Sequence, residues 1–193
     1  EAGRGCSLQV GLTDSGQACW SVDLPEPAVV QHYSIPLQPV PELLICGAGH
    51  IAQALAPMAL TAGFKVSVLD DRAELLSADR FFAPVKTVVA RFDGCLQCQR
   101  ITAATSLLIV TYGHLHDRTV LEQALATDAG YIGMVGSRRK RAELFEQLQS
   151  AGFSNADLDR VHCPVGLAIG AETPAEIAVS ILAEMIAVRR CKR

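Results

Sequence analysis

The sequence has few aromatic residues and no long apolar run. Phe, Trp and Tyr make up only 5% of its 193 residues, so Ala, Val, Ile and Leu must fill any core. No stretch approaches the roughly 18 uninterrupted apolar residues of a membrane-spanning helix, and the opening EAGRGCSLQV lacks the basic and then apolar layout of a signal peptide. We therefore expect a cytoplasmic protein with no membrane partner. The chain opens on Glu1 rather than on methionine, which leaves open what precedes it.

The sequence has no strong excess of positive or negative charge. The 17 Lys and Arg residues nearly balance the 20 Asp and Glu residues, and the net charge is −3. This balance argues against a protein that binds nucleic acid through its overall field, so any anion site must be local. Half of the residues are hydrophobic and 19% are charged, so the chain can bury a sizeable core and is neither disordered nor a coiled coil.

The seven cysteines do not suggest a disulfide framework. Their odd number and the lack of a secretory signal predict reduced thiols. Cys95 and Cys98 form a single Cys-x-x-Cys pair, which is only half of a zinc site, and we expect two partly buried thiols there. Cys46 lies in an apolar run and is predicted to be a small core residue. The roles of Cys95, Cys98 and Cys163 stay open.

The first forty residues differ in texture from the rest. The runs SLQVGL and QACWSVDL are rich in β-formers and flank the turn-like TDSG, so they predict a hairpin, and VVQHYSI predicts a further strand. Pro36, Pro39 and Pro41 then predict an extended linker. We therefore divide the chain into a β-hairpin segment with its linker, residues 1–40, and a second domain, residues 41–193.

From residue 42 onward, apolar runs of strand length alternate with amphipathic runs of helix length. ELLICG, KVSVLD, VKTVVA, SLLIVT and YIGMV predict strands, and helices are predicted over 50–62, 117–126, 138–150 and from the TPAE capping box onward. Consecutive apolar residues within the strands require cover on both faces. The sequence therefore predicts an α/β fold, a Rossmann-like parallel sheet with helices on both faces, preceded by a small N-terminal β segment.

The segment LLICGAGHIAQAL carries a glycine-rich phosphate-binding pattern. Gly47, Gly49 and Ala52 form G-x-G-x-x-A between a predicted strand and a predicted helix, and Asp70 ends the next strand. Gly47 permits a tight turn, Gly49 lets backbone N–H groups approach a phosphate, and the helix N-terminus adds partial positive charge. Asp70 is predicted to accept hydrogen bonds from ribose hydroxyls. The alternative is a tight turn of small residues without a ligand.

A second glycine loop, YIGMVGSRRKR, precedes a helix whose first turn is basic. Ser137 is predicted to cap this helix, yet Arg138 and Arg139 lie where the helix dipole disfavours cations. An anion held by these side chains explains the arrangement most simply. The alternative is a solvated basic face stabilised by Glu143 and Glu146.

Two more loops complete the expected site. TYGHLHD offers His114, His116 and Asp117, but it has no third ligand at a fixed spacing, so we predict no metal and expect Asp117 to cap the next helix. HCPVGLAIGAETP carries glycines, Gly166 among them, that imply special backbone angles or the close approach of a ligand. Because the carboxyl ends of parallel strands line one crevice, all four loops should converge on a single site.

Four motifs together resemble a known family. GAGHIAQALAPMALTAGFKVSVLDDR, T-x-G-H-x-x-D, YIGMVGSRRKR and CPVGLAIGAETPAEIAVSILAE occur in the order found in the C-terminal Rossmann domain of xanthine dehydrogenase accessory proteins, the XdhC/CoxI family. The likeness covers residues 41–190. It implies a maturation factor, not an enzyme, that binds molybdenum cofactor (molybdopterin), protects it, assists its sulfuration and delivers it to a molybdenum hydroxylase.

The resemblance also implies where the ligand lies and which proteins take part. It assigns the crevice to Gly47, Gly49, His50, Asp70, Gly136, Ser137, Arg138 and Arg139. The converging loops add four cofactor-binding residues, Ala48, Thr111, His114 and Gly166, and no residue is assigned a catalytic role. The implied partners are a client molybdenum hydroxylase and a sulfur-donating desulfurase.

Departures and alternatives accompany the resemblance. Family members usually begin with a domain bearing a Gly-Gly-Cys-type motif, which does not occur before the linker here, and Tyr112 stands where many relatives carry His. The main alternative is an NAD-dependent oxidoreductase or NAD-binding module, in which Asp70 favours NAD over NADP and His114 is the acid–base candidate. A protein-interaction module with a vestigial crevice is a third.

The N-terminal hairpin predicts a homodimer. An isolated two-stranded hairpin is only marginally stable in water, so its apolar residues need a surface to cover them. Trp20, the single tryptophan, is the expected anchor. Two such hairpins related by two-fold symmetry would bury their apolar sides against each other.

Overall fold

The computed structural model describes residues 6–13, 18–22, 29–37 and 39–191. The chain divides into two compact units, Glu1–Val40 and Pro41–Arg193.

The first unit contains a small antiparallel sheet. Its strands are β1 (Cys6–Thr13), β2 (Ala18–Val22) and β3 (Val29–Leu37), in the order β2-β1-β3. The predicted pairing of the first two strands and the predicted third strand are confirmed. Pro36 lies within β3 and not in the predicted linker. Because β3 is an edge strand, it can contain a residue that has no N–H to donate.

The second unit is built on six parallel strands. They are β4 (Glu42–Cys46), β5 (Lys65–Asp70), β6 (Lys86–Val89), β7 (Thr105–Ile109), β8 (Tyr131–Met134) and β9 (Val161–His162). Their order in the sheet is β6-β5-β4-β7-β8-β9. Numbered from the first strand of this sheet, that order is 3-2-1-4-5-6, the order of the dinucleotide-binding Rossmann fold. The predicted Rossmann-like parallel sheet is confirmed, and the two-residue β9 is too short to predict from periodicity.

Five α-helices belong to the second unit. They are α1 (His50–Thr61), α2 (His114–Leu125), α3 (Arg138–Ser150), α4 (Asn155–Leu158) and α5 (Pro174–Cys191). The predicted capping box of α5 is confirmed, because Glu176 N–H donates to Thr173 Oγ1 at 3.2 Å and Thr173 N–H donates to Glu176 Oε2 at 2.9 Å. None of the described helices combines the length and the apolar character that a bilayer crossing requires.

Helices cover both faces of the sheet, as its apolar strands require. Successive residues of β4 face opposite sides: Leu43 and Ile45 join a core with α1 and α5, whereas Leu44 and Cys46 join a core with α2 and α3. Cys46 is fully buried, as predicted. The two cores hold the strands rigidly, so the loops at their carboxyl ends are presented from a fixed frame.

Helix α2 begins at His114 and not at the predicted Asp117. Gly113 is its N-cap residue, and Asp117 lies inside its first turn. The expectation that Asp117 caps the helix is therefore wrong. The physical reason is that the buried carboxylate of Asp117 binds a hydroxyl and an ammonium group from neighbouring segments instead of the helix N-terminus.

Candidate functional site

The carboxyl ends of β4 and β7 mark the point where the strand order reverses. In open α/β sheets, ligands bind in the crevice at such a point. The loop after β4 carries the glycine pattern, and the loop after β7 carries TYGH. The two meet at their bases, where Val110 N–H donates to the Cys46 carbonyl at 2.9 Å. Two of the four predicted loops therefore adjoin one another here.

Gly47 fits closely against the loop after β7. Its φ is +115°, a conformation that favours glycine. A Cβ atom at this position would lie only 2.3 Å from the Val110 carbonyl oxygen. Gly47 N–H also donates to the Leu69 carbonyl at 2.7 Å, which ties the turn to β5. Glycine is therefore required for the chain to turn from β4 into α1.

The N-terminus of α1 is open. A Cβ atom at Gly49 would meet no described atom within 4 Å. No side chain caps the helix, its first turn holds no acid, and His50 is exposed beside it. Uncapped N–H groups and the positive end of the helix dipole can bind an anion such as phosphate at this position.

Two side chains from distant segments hold the peptide groups of Ala48. Its N–H donates to Asp70 Oδ2 at 2.7 Å, and its carbonyl accepts from Arg80 Nη2 at 2.8 Å. Arg80 is itself anchored, because its Nε donates to the Leu75 carbonyl at 3.0 Å. The glycine loop is therefore braced from both sides, and the start of α1 is pre-arranged for a ligand.

Asp70 is fully buried, and other residues of the chain occupy its carboxylate. Besides the Ala48 N–H, it accepts the backbone N–H of Arg72 at 3.0 Å and the Nε and Nη2 of that side chain at 2.9 and 3.0 Å. Burial raises the pKa of Asp70, but the hydrogen bonds from Arg72 and Ala48 outweigh burial, so the pKa lies below its ordinary value. The ribose contact expected of Asp70 stays a prediction.

Arg72 and Tyr112 bridge the loops after β5 and β7. The Arg72 guanidinium lies 3.9 Å from the centroid of the Tyr112 ring. Tyr112 Oη donates to Asp71 Oδ2 at 2.8 Å, and this bond raises the pKa of the Tyr112 hydroxyl. Because β4 lies between β5 and β7 in the sheet, the bridge passes over the carboxyl end of β4.

A buried ion pair joins the loop after β7 to the start of α3. Thr111 Oγ1 donates to Asp117 Oδ1 at 2.6 Å, and Lys140 Nζ donates to Asp117 Oδ2. The side chain of Asp117 is 3% exposed and that of Lys140 is 19% exposed. Thr111 is therefore engaged within the protein, and the third predicted loop converges with the second through Lys140.

The remaining cations at the start of α3 differ in their freedom. Ser137 caps the helix as predicted, accepting from Lys140 N–H at 3.1 Å. Arg139 is exposed and forms an ion pair with Glu143 at 2.8 Å. Arg138 is also exposed, and its side chain has no polar partner among residues 39–191. Arg138 is therefore available to a ligand, whereas the Arg141 guanidinium lies 4.5 Å from the centroid of the Phe145 ring.

The fourth loop packs between β8 and α5. Val165 N–H donates to the Met134 carbonyl at 3.2 Å, so the loop starts beside the end of β8. Gly166 has a φ of +99°, and a Cβ there would lie 2.4 Å from Ser180 Oγ on α5. A Cβ on Gly136 would lie 3.4 Å from Cys163 Sγ. Gly136 therefore borders Cys163, while Gly166 serves close packing on α5.

The described residues contain no group of three His, Cys, Asp or Glu side chains that could hold a metal. The backbone of His114 starts α2, and its side chain lies outside the described part of the chain. His116 packs its ring against Phe92 and Tyr112, with centroids 5.1 and 4.8 Å away. This ring cluster borders the Arg72–Tyr112 bridge.

The thiols expected to be partly buried differ from one another. Cys95 is buried and Cys98 is exposed. Cys46 and Cys95 share a hydrogen bond, which together with burial raises the pKa of the Cys46 thiol. Burial raises the pKa of Cys163. The same hydrogen bond, from Cys46, lowers the pKa of the Cys95 thiol.

A cavity of about 440 Å³ lies at the opposite edge of the sheet. Residues at the amino ends of four strands line it, among them Glu42, Lys65, Lys86 and Thr105. None of the residues of the glycine loop lines it. We place the candidate site at the carboxyl ends, because the uncapped helix start and the braced loop lie there.

Three residues that shape the site are hard to identify from the sequence. Arg72 follows Asp70 by two residues, and this spacing is the one local indication of their pairing. Arg80 reaches Ala48 across 32 positions, and Lys140 reaches Asp117 across 23 positions. Periodicity and spacing do not reveal such long-range pairs.

Comparison with known proteins identifies the family. The profile of the XdhC Rossmann domain matches residues 43–185. YqeB of Escherichia coli strain K12, described as uncharacterized, is 35% identical over 151 residues, which are 77% of this chain and 27% of YqeB. A protein of Bacillus subtilis strain 168 named as a probable xanthine dehydrogenase subunit is 30% identical over 80% of this chain and 44% of its own length.

Two further similarities are more distant. The molybdenum cofactor insertion chaperone PaoD of Escherichia coli strain K12 is 24% identical over 81% of this chain and 43% of its own. The crystal structure of a xanthine dehydrogenase from Bacillus halodurans superposes with a TM-score of 0.81. The match covers 97% of this chain and 63% of that chain. At 23% sequence identity it supports the fold alone. The chain spans less than half the length of the curated relatives it matches. Since the profile covers most of the chain, the protein belongs to the XdhC Rossmann domain family.

Proposed function

We propose that the crevice binds molybdenum cofactor as cargo, and that the chain is part of a cytoplasmic maturation factor for a xanthine dehydrogenase-type molybdenum hydroxylase. The observation that carries the proposal is the uncapped, acid-free α1 N-terminus at the switch point. Arg138, at the start of α3 after the neighbouring strand β8, adds an exposed arginine without a polar side-chain partner among residues 39–191. Both features attract an anion, and the terminal phosphate of a pterin cofactor is such an anion.

The basic residues at the start of α3 differ in their ion-pair partners, and this difference supports a single main phosphate contact. Lys140 is committed to Asp117, and Arg139 is partly neutralised by Glu143. We therefore assign Arg138 as the primary phosphate ligand, and the backbone N–H groups of Gly49 and His50 at the α1 N-terminus as further donors. Arg139 is a secondary contact. The braces on Ala48 from Asp70 and Arg80 keep these N–H groups in place without a conformational cost at binding.

The names of two relatives support a role in maturation. One is called a molybdenum cofactor insertion chaperone, and the other is named as a xanthine dehydrogenase component. By this analogy we propose a molybdenum hydroxylase client as a partner of our chain. A sulfur-donating desulfurase is a further proposed partner, which rests on the family resemblance of the sequence motifs. In this proposal the chain contributes binding of the cofactor.

Anaerobic titration with released molybdenum cofactor tests the proposal. Equilibrium dialysis should show saturable binding of one cofactor per chain. Binding that rises linearly without saturation, as for non-specific adsorption, would contradict the proposal for this chain.

An NAD-dependent oxidoreductase or NAD-binding module is the second candidate. The strand order and the G-x-G-x-x-A pattern favour it. A hydride-transfer enzyme also needs residues that enclose its substrate and a group that donates or accepts a proton. His114 is the candidate for the proton-transferring group. Titration with NADH, followed by nicotinamide fluorescence, separates this candidate from the first.

The N-terminal unit is proposed to mediate a homodimer. Its strands β1 and β2 form the expected pair, and the anchor Trp20 lies in β2, with its side chain outside the described residues. Sedimentation of the whole chain and of a chain starting at Pro41 tests this. A dimer for the first and a monomer for the second is expected, and the same state for both would contradict it.

A further inference from the structure

Asp70 has no hydrogen-bonding capacity left for a ligand. An ionised carboxylate offers about four lone-pair sites. Four N–H groups fill them: one from Ala48, the backbone N–H of Arg72, and the Nε and Nη2 of the Arg72 side chain, at 2.7 to 3.0 Å. The carboxylate is also fully buried. In the dinucleotide-binding Rossmann fold, the acid at this position accepts the hydroxyl groups of the adenosine ribose instead.

The Arg72 side chain reproduces the contact that a ribose would make. Its fork donates one N–H to each oxygen of Asp70, as the two hydroxyls of a ribose diol would. The same guanidinium stacks on Tyr112, whose hydroxyl is bound to Asp71. The side chain is thus fixed by a fork on one edge and a ring on one face.

Charge also disfavours a nucleotide with a phosphate on its ribose. The Arg72 Nε lies 2.9 Å from Asp70 and 3.9 Å from Asp71. Asp70 and Asp71 thus face a single guanidinium, and the next cation, Arg80, binds the carbonyl of Ala48. A phosphate on the ribose would meet these two carboxylates, and their charge disfavours it.

We infer that Arg72 is an intramolecular substitute for the adenosine ribose, held in place by Asp70 and Tyr112, and that it makes the crevice reject adenine dinucleotides. The glycine loop keeps its capacity for phosphate, while the protein itself makes the contact to Asp70 that the adenosine ribose makes in the dinucleotide-binding fold. Arg72 is therefore a specificity-determining residue. This inference goes beyond the proposed molybdenum cofactor binding and does not depend on it, and it argues against the NAD-binding candidate.

Binding of ADP-ribose, measured by calorimetry, tests the inference. ADP-ribose carries the adenosine and both phosphates but no nicotinamide. The unmodified chain should show no saturable binding at millimolar concentration. Arg72→Ala, which frees two acceptor sites on Asp70, should gain at least about tenfold in affinity, as expected for one recovered charge-assisted contact.

A second variant covers the case in which Arg72→Ala fails to fold. Arg72→Lys keeps the positive charge but lacks the fork, so it should fold and show a smaller gain. Arg118→Ala is the matched control, because it removes an arginine that pairs with Glu122 on α2 and should gain nothing. Micromolar binding by the unmodified chain would overturn the inference, as would the absence of a gain in every Arg72 variant that circular dichroism shows to be folded. Dialysis with molybdenum cofactor reports separately on the proposed function.

Discussion

A Cβ atom on Gly47 would lie 2.3 Å from the carbonyl oxygen of Val110, so the turn after the first strand of the large sheet and the end of its neighbour are fitted to each other. Gly49, two residues on, has open space around it. The two glycines of one pattern therefore serve different ends. Gly47 serves the fold, and Gly49 leaves room for a ligand.

These two glycines make a matched pair for mutagenesis. Gly47→Ala should lower the free energy of unfolding by about 3 kcal/mol or more, because the positive φ alone costs about 1–3 kcal/mol and the clash adds to it. Gly49→Ala, at a helix N-cap, should cost about 1 kcal/mol or less yet weaken ligand binding. Urea denaturation measures the loss of stability of each variant. Equal losses of stability would contradict this assignment.

The buried ion pair between Lys140 and Asp117 predicts a large effect of one basic residue on the fold. Lys140→Met should destabilise the protein by about 3 kcal/mol, because it leaves a carboxylate buried without its partner. Arg139→Ala is the control, since its pair with Glu143 is exposed, and it should leave the urea midpoint unchanged. If Lys140→Met unfolded no earlier in urea than Arg139→Ala, the ion pair would have no structural role.

Asp70 predicts a pH dependence of stability. Its pKa in the folded protein lies below the ordinary aspartate value of about 3.9. As the pH falls, this carboxylate is protonated in the unfolded chain before it is protonated in the folded protein. The free energy of unfolding therefore declines until the pH has fallen below the pKa of the folded state. Asp70→Asn should lose about 2 kcal/mol at neutral pH and show a flatter decline in acid. Urea midpoints from pH 6 to pH 3 measure this, and parallel curves for the two proteins would refute it.

Much of the fold could be predicted from sequence because it depends on local patterns. Apolar runs predict the strands, and the TPAE box marks the start of α5. The same reasoning failed for Asp117, which has the residue type and position of a helix cap. Its burial and its pairing with Lys140, 23 positions away, depend on how the sheet brings β7 and β8 together.

The candidate site, like the fold, could be predicted from the sequence where it depends on local patterns. The glycine pattern, Ser137 and Arg138 lie at loop positions that parallel strands must bring to one edge. The occupation of Asp70 by Arg72 is different, because only a structure shows whether an acid faces a ligand or its own chain. The motif that indicates a dinucleotide site is therefore compatible with a crevice whose ribose-binding acid is occupied by the chain itself.

The measurement that tests the central proposal most directly is the affinity of molybdenum cofactor for the unmodified chain and for Arg138→Ala. Arg138 is exposed and has no polar side-chain partner among residues 39–191, so its removal should leave stability unchanged. Loss of a charge-assisted phosphate contact should weaken binding by about tenfold to a hundredfold, while Arg118→Ala binds as the unmodified chain does. Equal affinities for the unmodified chain and Arg138→Ala would contradict a phosphate held at this crevice.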